Sequence, residues 1–195
     1  MQATQPGRVI TATVLPRSTA VSIMLVVGFA LLTAAMAQIR IPLGFTPVPI
    51  TGQTLAVLLS GAALGSGLGA ASQALYLALG LAFPFYAGGE SGWNTATGAT
   101  GGYLVGFVVA AWAIGKLAER TQDRDMWTAI PAFLLGSVII HLFGVPWLAH
   151  TLEVDWNRAA ELGSYPFIAG DLLKAALAGV LLPASWRIID RMRAG

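Results

Sequence analysis

The sequence contains no cysteine and only two histidines, and charged residues make up only 10% of its 195 positions. Without cysteine the chain can form neither a disulfide nor a thiolate metal site. Two histidines are too few for an imidazole cluster, so we expect no metal and no cofactor. A typical soluble domain carries about 25% charged residues. The low charge therefore excludes a water-soluble enzyme, a nucleic-acid-binding protein and a disordered chain.

Long apolar runs dominate instead, because hydrophobic residues make up 56% of the chain. A membrane-spanning helix needs roughly 20 largely apolar residues. Six runs are candidates, although the second and third are short, and the sequence has no alternating pattern typical of a barrel. We predict an all-α integral membrane protein, a single bundle of six transmembrane helices over residues 18–186. The runs are 18–37, 52–64, 68–83, 103–117, 127–148 and 165–186.

Lysine and arginine are distributed unevenly between the two sides of this predicted bundle. With both termini on the inside, the outside holds only Arg40 and Arg158. Cytoplasmic segments carry an excess of basic residues, so we predict that the N-terminal tail 1–17 and the basic C-terminal tail 187–195 are cytoplasmic. The residues then on the inside are Arg8, Arg17, Lys116, Arg120, Arg124, Arg187, Arg191 and Arg193.

Two ionisable residues, Asp171 and Lys174, fall inside the sixth predicted span. Residues three apart lie on one face of a helix. A charged side chain in a membrane costs about 2.5–3.5 kcal/mol even on insertion scales, and such groups usually face a bundle interior or a water-filled pocket. We interpret the pair as part of a ligand site, in which Lys174 suits an anionic group and Asp171 suits N–H donors. A mutual salt bridge, or a shallow Asp171 near the helix start, is the alternative.

Two predicted outer loops add further candidates. The loop between the third and fourth spans is rich in glycine, which permits close backbone approach. It carries Glu90 and Asn94, and it leads to Tyr103. The loop between the first and second spans is stiffened by three prolines and leads to Gln53. Each loop could fold over a ligand, or it could be an ordinary connection between helices.

Small residues and histidine give two weaker signals. Ala30 and Ala34 lie four apart in the first span, a spacing that lets helices approach closely. Internal packing is the commoner use of such a face, and docking of a partner is the alternative. We interpret His141, with Pro131 and Pro146 in the same span, as a packing and kink feature rather than a ligand.

Four ordered segments of the chain resemble the BioY family. BioY proteins are biotin-specific S components, the substrate-binding subunits of energy-coupling factor (ECF) vitamin transporters. The resemblance covers nearly the whole chain and implies a six-helix bundle with biotin bound under the first and third loops. The segments are Pro47-Val-Pro-Ile-Thr-Gly-Gln-Thr54, Tyr86-Ala-Gly-Gly89, Thr100-Gly-Gly-Tyr103 and Pro166-Phe-Ile-Ala-Gly-Asp-Leu-Leu-Lys174.

The resemblance also implies roles for individual residues. It assigns Asp171 and Lys174 to contacts with biotin and Glu90 to a ligand-binding position. It assigns Ala30 and Ala34 to the docking of the transmembrane coupling subunit. Leu104 departs from the pattern, because some members carry an arginine there that could clamp a carboxylate.

The expected function is biotin uptake across a bacterial cytoplasmic membrane, without enzymatic activity and without nucleic acid. The implied partners are the lipid bilayer, the coupling subunit and two ABC-type ATPase subunits. An S component for another small vitamin, and a biotin carrier that acts alone or as a homo-oligomer, are the alternatives. A membrane enzyme and a purely structural membrane protein are the rival classes.

Overall fold

A computed structural model describes residues 9–16 and 18–194 of the chain. Arg8 and Arg17 lie outside the described residues, so their predicted location has no structural counterpart. Over the described part, nine α-helices are joined by short connections, and a 3-10 turn covers Tyr165–Phe167. The helices are α1 (Ile10–Val14), α2 (Thr19–Gln38), α3 (Gln53–Leu64), α4 (Ser66–Ala82), α5 (Trp93–Ala96), α6 (Gly101–Ala118), α7 (Met126–Leu152), α8 (Trp156–Gly163) and α9 (Ile168–Ala194).

Four stretches of the described chain are long and apolar enough to cross a membrane. Two more helices, α3 and α4, are apolar but shorter. Lipid tolerates only backbone whose polar groups are satisfied internally, which helices achieve. The chain is therefore an all-helical membrane protein in its architecture. The four stretches are Thr19–Gln38, Gly101–Ala118, Met126–Leu152 and Trp156–Met192.

The six predicted runs coincide with α2, α3, α4, α6, α7 and α9. The predicted and observed bounds differ at the ends of the helices. The last helix begins at Ile168, after the 3-10 turn that contains Pro166, and it continues through the segment predicted as a C-terminal tail. The predicted N-terminal tail contains α1. Loop 1 (39–52) holds two short antiparallel strands that the sequence did not predict, β1 (Arg40–Ile41) and β2 (Ile50–Thr51).

Glycine brings α3, α4 and α6 into backbone contact. A Cβ atom on Gly61 would lie 2.3 Å from the carbonyl oxygen of Ala111, and one on Gly69 would lie 2.9 Å from the Gly61 Cα atom. The single residue Gly65 joins α3 to α4 with φ +84°, in the left-handed region that favours glycine. Small residues therefore set the helix spacing here, as is common inside membranes.

The two alanines predicted to dock a partner are buried within the chain. Ala30 is fully buried and Ala34 is 6% exposed. Between them Thr33 donates a hydrogen bond to Gln73 of α4 (3.3 Å), so this side of α2 packs on α4. In this structure the small side chains of Ala30 and Ala34 serve internal packing, and their part in docking a coupling subunit stays a prediction. The exposed residues of α2 include Ile23, Met24, Val27 and Leu31.

Most basic residues in the described part of the chain lie at the end of the bundle opposite loop 1. Polar contacts join the segments that carry them. Glu119, after α6, accepts hydrogen bonds from the Ser66 backbone N–H (2.9 Å) and hydroxyl (2.8 Å) at the start of α4. Asp123 accepts from the Trp186 indole N–H (2.7 Å) and ties the α6–α7 connection to α9. Residues 116–125 and the end of α9 thus share this end, which we call the basic end.

Candidate functional site

A cavity of about 170 Å³ lies at the end of the bundle opposite the basic end. Loop 1 and loop 3 (83–100) cover it, and α3, α6, α7 and α9 form its walls. A second groove of about 380 Å³ lies between α1 and α2, but none of the described residues that line it is ionisable. The cavity is therefore the candidate site. Its lining includes Arg40, Thr46, Gln53, Thr54, Tyr86, Glu90, Thr95, Tyr103, Leu104, Phe107, Ile140, His141, Phe167, Asp171 and Lys174.

Asp171 and Lys174 face this cavity and not the lipid. Asp171 is 7% exposed, whereas the intervening Leu172 and Leu173 are exposed on the outside of the bundle. The Lys174 Nζ atom lies 3.8 Å from Asp171 Oδ1, and it donates a hydrogen bond to the Thr54 hydroxyl (2.5 Å). The inward placement predicted from the sequence is confirmed. Asp171 also lies in the first turn of α9, where the helix dipole favours a carboxylate.

His141 of α7 completes this polar group, which we call the inner cluster (His141, Asp171 and Lys174). Its Nε2 atom lies 3.0 Å from Asp171 Oδ2, and its Nδ1 atom lies 3.0 Å from the Gly163 carbonyl oxygen. The ring packs against Tyr103 and Phe167, as the sequence interpretation expected, and it also lines the cavity, which that interpretation did not foresee. Its position inside a membrane span was the signal that could have identified it.

Tyr103 forms part of the cavity wall as predicted. Its hydroxyl donates a hydrogen bond to the Gly163 carbonyl oxygen (2.7 Å). The ring lies directly against α7, because a Cβ atom on Gly144 would be 2.2 Å from a ring carbon. Glycine at 144 therefore leaves the space that the ring occupies.

Gln53 also lines the cavity, at the start of α3. Its Nε2 atom donates a hydrogen bond to the Tyr76 hydroxyl (2.6 Å), and its Oε1 atom accepts one from the Thr51 hydroxyl (2.9 Å). The buried amide is thus held at both ends, which fixes one polar wall of the cavity.

Loop 3 places Glu90 at the cavity and Asn94 away from it. Glu90 is exposed at the mouth, and its carbonyl oxygen accepts a hydrogen bond from the Tyr86 N–H (3.0 Å). Asn94 lies in the short helix α5, is exposed and does not line the cavity, whereas the adjacent Thr95 does. The structure therefore does not place Asn94 in the cavity wall, and its contact with a ligand stays a prediction.

Arg40 lies at the mouth of the cavity, although the sequence analysis did not predict a role for it in binding. Its guanidinium group rests against loop 3, since a Cβ atom on Gly88 would lie 2.4 Å from the Arg40 Cζ atom. Gly88 has φ +79°, so the turn that receives Arg40 favours glycine. Among the described residues Arg40 forms no ion pair. Its charge is therefore available to a ligand. Leu104, which also lines the cavity, carries no charge.

The cavity combines two polar ends with an apolar middle. The inner cluster is buried or half-buried, and Arg40 and Glu90 are exposed at the mouth. The walls also include aromatic and aliphatic side chains. Sites for small organic ligands have this composition, with a few polar groups that fix orientation. The arrangement suits an elongated molecule with a hydrogen-bonding head and an anionic tail. The apolar residues are Leu104, Phe107, Ile140 and Phe167.

Comparison with known proteins finds relatives of one kind. The profile of the BioY family matches residues 9–191. A biotin transporter BioY of Thermotoga maritima is 36% identical over 154 residues, covering 78% of this chain and 88% of the relative. One of Rhodobacter capsulatus is 36% identical over 167 residues, covering 78% and 86%.

A solved structure has the same fold. It is a crystal structure of the S-component for biotin from an ECF-type ABC transporter, with a TM-score of 0.75 and 25% sequence identity. The match covers 92% of this chain and 96% of that chain.

Proposed function

Because this chain belongs to the BioY family, we propose that it is a biotin transporter that binds biotin in the cavity beneath loops 1 and 3. The observation that carries the proposal is the inner cluster, which places a buried carboxylate and two basic side chains at the closed end of an apolar cavity. Ionisable groups are held inside a membrane at a cost, and a polar ligand that hydrogen-bonds to them offsets that cost.

Biotin matches the cavity group by group. Its ureido ring has two N–H donors and one carbonyl acceptor, its middle is apolar, and its tail ends in a carboxylate. Asp171 accepts from one ureido N–H group, and Lys174 donates to the adjacent ureido carbonyl. The carboxylate then reaches Arg40 at the mouth, since a guanidinium group binds carboxylates well. Glu90, Gln53 and the Tyr103 ring form the surrounding walls.

Lys174→Ala should weaken biotin binding by roughly tenfold, about 1.4 kcal/mol. The substitution removes a charge-assisted donor at the closed end of the cavity and leaves Thr54 without its partner. Calorimetric titration of biotin into the purified proteins measures the change. Lys116→Ala is the matched control, because Lys116 lies at the basic end, and it should bind like the parent protein. An unchanged affinity of Lys174→Ala for biotin would show that Lys174 does not take part in binding.

Arg40→Ala should weaken binding of biotin by roughly tenfold but leave binding of biotinamide, whose tail is neutral, nearly unchanged. The contrast arises because Arg40 interacts with the charge of the tail and not with the ureido ring. Arg158→Ala is the control, since Arg158 pairs with Glu161 outside the cavity (2.8 Å). An equal loss for both ligands would contradict this orientation of biotin.

The topology and partners follow from the same proposal. Six helices over 18–186 span a bacterial cytoplasmic membrane, with both tails, 1–17 and 187–195, inside. Support comes from the basic end, which groups the lysines and arginines as expected for a cytoplasmic side. The cavity then opens to the outside. For uptake we propose the ECF arrangement, in which a transmembrane coupling subunit and two ABC-type ATPases supply the energy.

Mass spectrometry of the small molecule that copurifies with the chain tests the ligand directly, and biotin is the expected species. Competition with other vitamins separates biotin from an alternative vitamin. Uptake measured in cells with and without the coupling subunit and ATPases separates an ECF transporter from a carrier that acts alone. A folded chain that carries no biotin and binds none on titration would contradict the proposal.

A further inference from the structure

The short helix α8 ends beside the cavity, and its last carbonyl groups hold three of the side chains that line it. The last carbonyl groups of a helix have no donor within the helix itself. The Leu162 carbonyl oxygen accepts a hydrogen bond from the Thr46 hydroxyl (2.8 Å). The Gly163 carbonyl oxygen accepts from the Tyr103 hydroxyl (2.7 Å) and from His141 Nδ1 (3.0 Å). One end of α8 is therefore the common acceptor for three cavity side chains.

These three side chains come from three different parts of the fold. Thr46 lies in loop 1, which covers the cavity, Tyr103 lies on α6, and His141 lies on α7. His141 in turn contacts Asp171 on α9, with 3.0 Å between Nε2 and Oδ2. Because all three donors meet at α8, the position of this helix fixes how the cover, the aromatic wall and the inner cluster lie relative to one another.

The helix α8 has little to stabilise it apart from its ends and its contact with the bundle. It is eight residues long, and its buried residues are Ala159, Leu162 and Gly163. Isolated helices shorter than about 12 residues are marginal in water. Interactions that favour the first turn of α8 therefore decide how much of the time the whole helix is formed.

Asp155 provides such an interaction at the start of α8. Its Oδ1 atom accepts a hydrogen bond from the Arg158 backbone N–H (3.0 Å), which makes it the N-cap of the helix. A carboxylate is also favourable at the positive end of the helix dipole. Asp155 is exposed and does not line the cavity. A helix of eight residues is about 12 Å long, so Asp155 lies well away from the carbonyl groups at the other end.

We propose that α8 holds the cavity in its binding shape, and that Asp155 is a positioning residue for biotin although it lies outside the cavity. The proposal rests on the proposed function, because biotin is the ligand that reports it. When α8 is formed, its carbonyl groups hold Thr46, Tyr103 and His141. When α8 unwinds, the three side chains lose their acceptors. The apparent affinity then falls with the fraction of molecules in which α8 is formed.

Asp155→Ala should weaken biotin binding by roughly fivefold, as expected from the usual contribution of an N-cap. Asp155→Asn should restore most of the affinity, because asparagine is an equally good N-cap. Both variants lose the same charge, so the contrast between them isolates the cap. Asp125→Ala is the matched control, since Asp125 caps α7 at the basic end by accepting from the Trp127 (3.0 Å) and Thr128 (3.2 Å) N–H groups, and it should bind like the parent protein. Calorimetric titration of biotin into the purified chains measures all three.

A second pair of variants changes α8 at one exposed position. Glu161→Pro removes a hydrogen bond inside α8 and places the proline ring against the preceding turn, so biotin binding should weaken by roughly tenfold or more. Glu161→Ala loses the same carboxylate and the same ion pair with Arg158 but keeps the helix, and it should bind like the parent protein. Thermal unfolding establishes that each purified variant is folded.

Equal affinities of Asp155→Ala and the parent protein would overturn the proposal, whether or not Glu161→Pro folds. An equal loss in Asp155→Asn and Asp155→Ala would also overturn it, because the cap would then have no part in binding. Absence of biotin binding in the parent protein would instead contradict the proposed function, so the two failures are distinguishable.

Discussion

Asp171→Ala is expected to lower the affinity for biotin by about 100-fold or more. Hydrogen bonds to a charged group contribute about 1.5–3 kcal/mol each, and one ureido N–H donates to this carboxylate. Loss of about 2.7 kcal/mol already corresponds to 100-fold. The substitution also leaves Lys174 without its counter-charge and removes the hydrogen-bond partner of the His141 Nε2 atom in a largely buried site, which is costly. Calorimetric titration of biotin into the purified variant measures the effect.

One further variant separates the charge of Asp171 from its shape, and a second variant is the control. Asp171→Asn keeps the size of the side chain but replaces one acceptor oxygen with a donor, so it should also bind far more weakly than the parent. Glu161→Ala removes an exposed carboxylate of α8 outside the cavity and should bind normally. Thermal unfolding of each purified variant establishes that it is folded. Parent-like affinity in a folded Asp171→Ala protein would exclude the carboxylate from the binding site.

Gly61→Leu is expected to prevent assembly of the bundle. The new side chain would begin 2.3 Å from the backbone carbonyl oxygen of Ala111, and α4 lies on its other side. Backbone of three packed helices cannot move aside as a flexible side chain can, so the cost should be about 3 kcal/mol or more. We expect aggregated protein on size-exclusion chromatography and a lower unfolding temperature for any monodisperse fraction.

Gly28→Leu is the matched control for this prediction. Gly28 also lies inside a long helix, α2, but a Cβ atom there would meet nothing within 4 Å. The purified chain should therefore tolerate leucine, with unchanged unfolding temperature and biotin affinity. If Gly61→Leu behaved like Gly28→Leu, the close contact of α3 with α6 would be wrong.

The helices could be predicted from the sequence because lipid demands long apolar runs, and the runs coincide with α2, α6, α7 and α9 and with the two shorter helices α3 and α4. The inward placement of Asp171 and Lys174 could be predicted for the related reason that charge is excluded from lipid. What could not be predicted is the side that an uncharged helix turns inward. Lipid and protein interior are both apolar, so nothing in α2 distinguishes Ala30 and Ala34 from its exposed side.

The missed site residues depend on contacts between distant segments. Arg40 reaches the mouth because β1 pairs with β2 and because Gly88 of loop 3 leaves room for its guanidinium group. His141 joins Asp171 only once α7 and α9 pack together. Asn94 lies in the four-residue helix α5, which the sequence did not predict, and its side chain is exposed outside the cavity. None of these contacts or placements can be predicted from the spacing of residues along a single segment.

A structure determined at saturating biotin tests the central claim most directly, because it shows both whether and where the vitamin binds. We predict one biotin molecule in the cavity beneath loops 1 and 3, with one ureido N–H group within hydrogen-bond distance of Asp171 and its carboxylate at Arg40. Biotin bound elsewhere on the chain, with this cavity empty, would contradict the account.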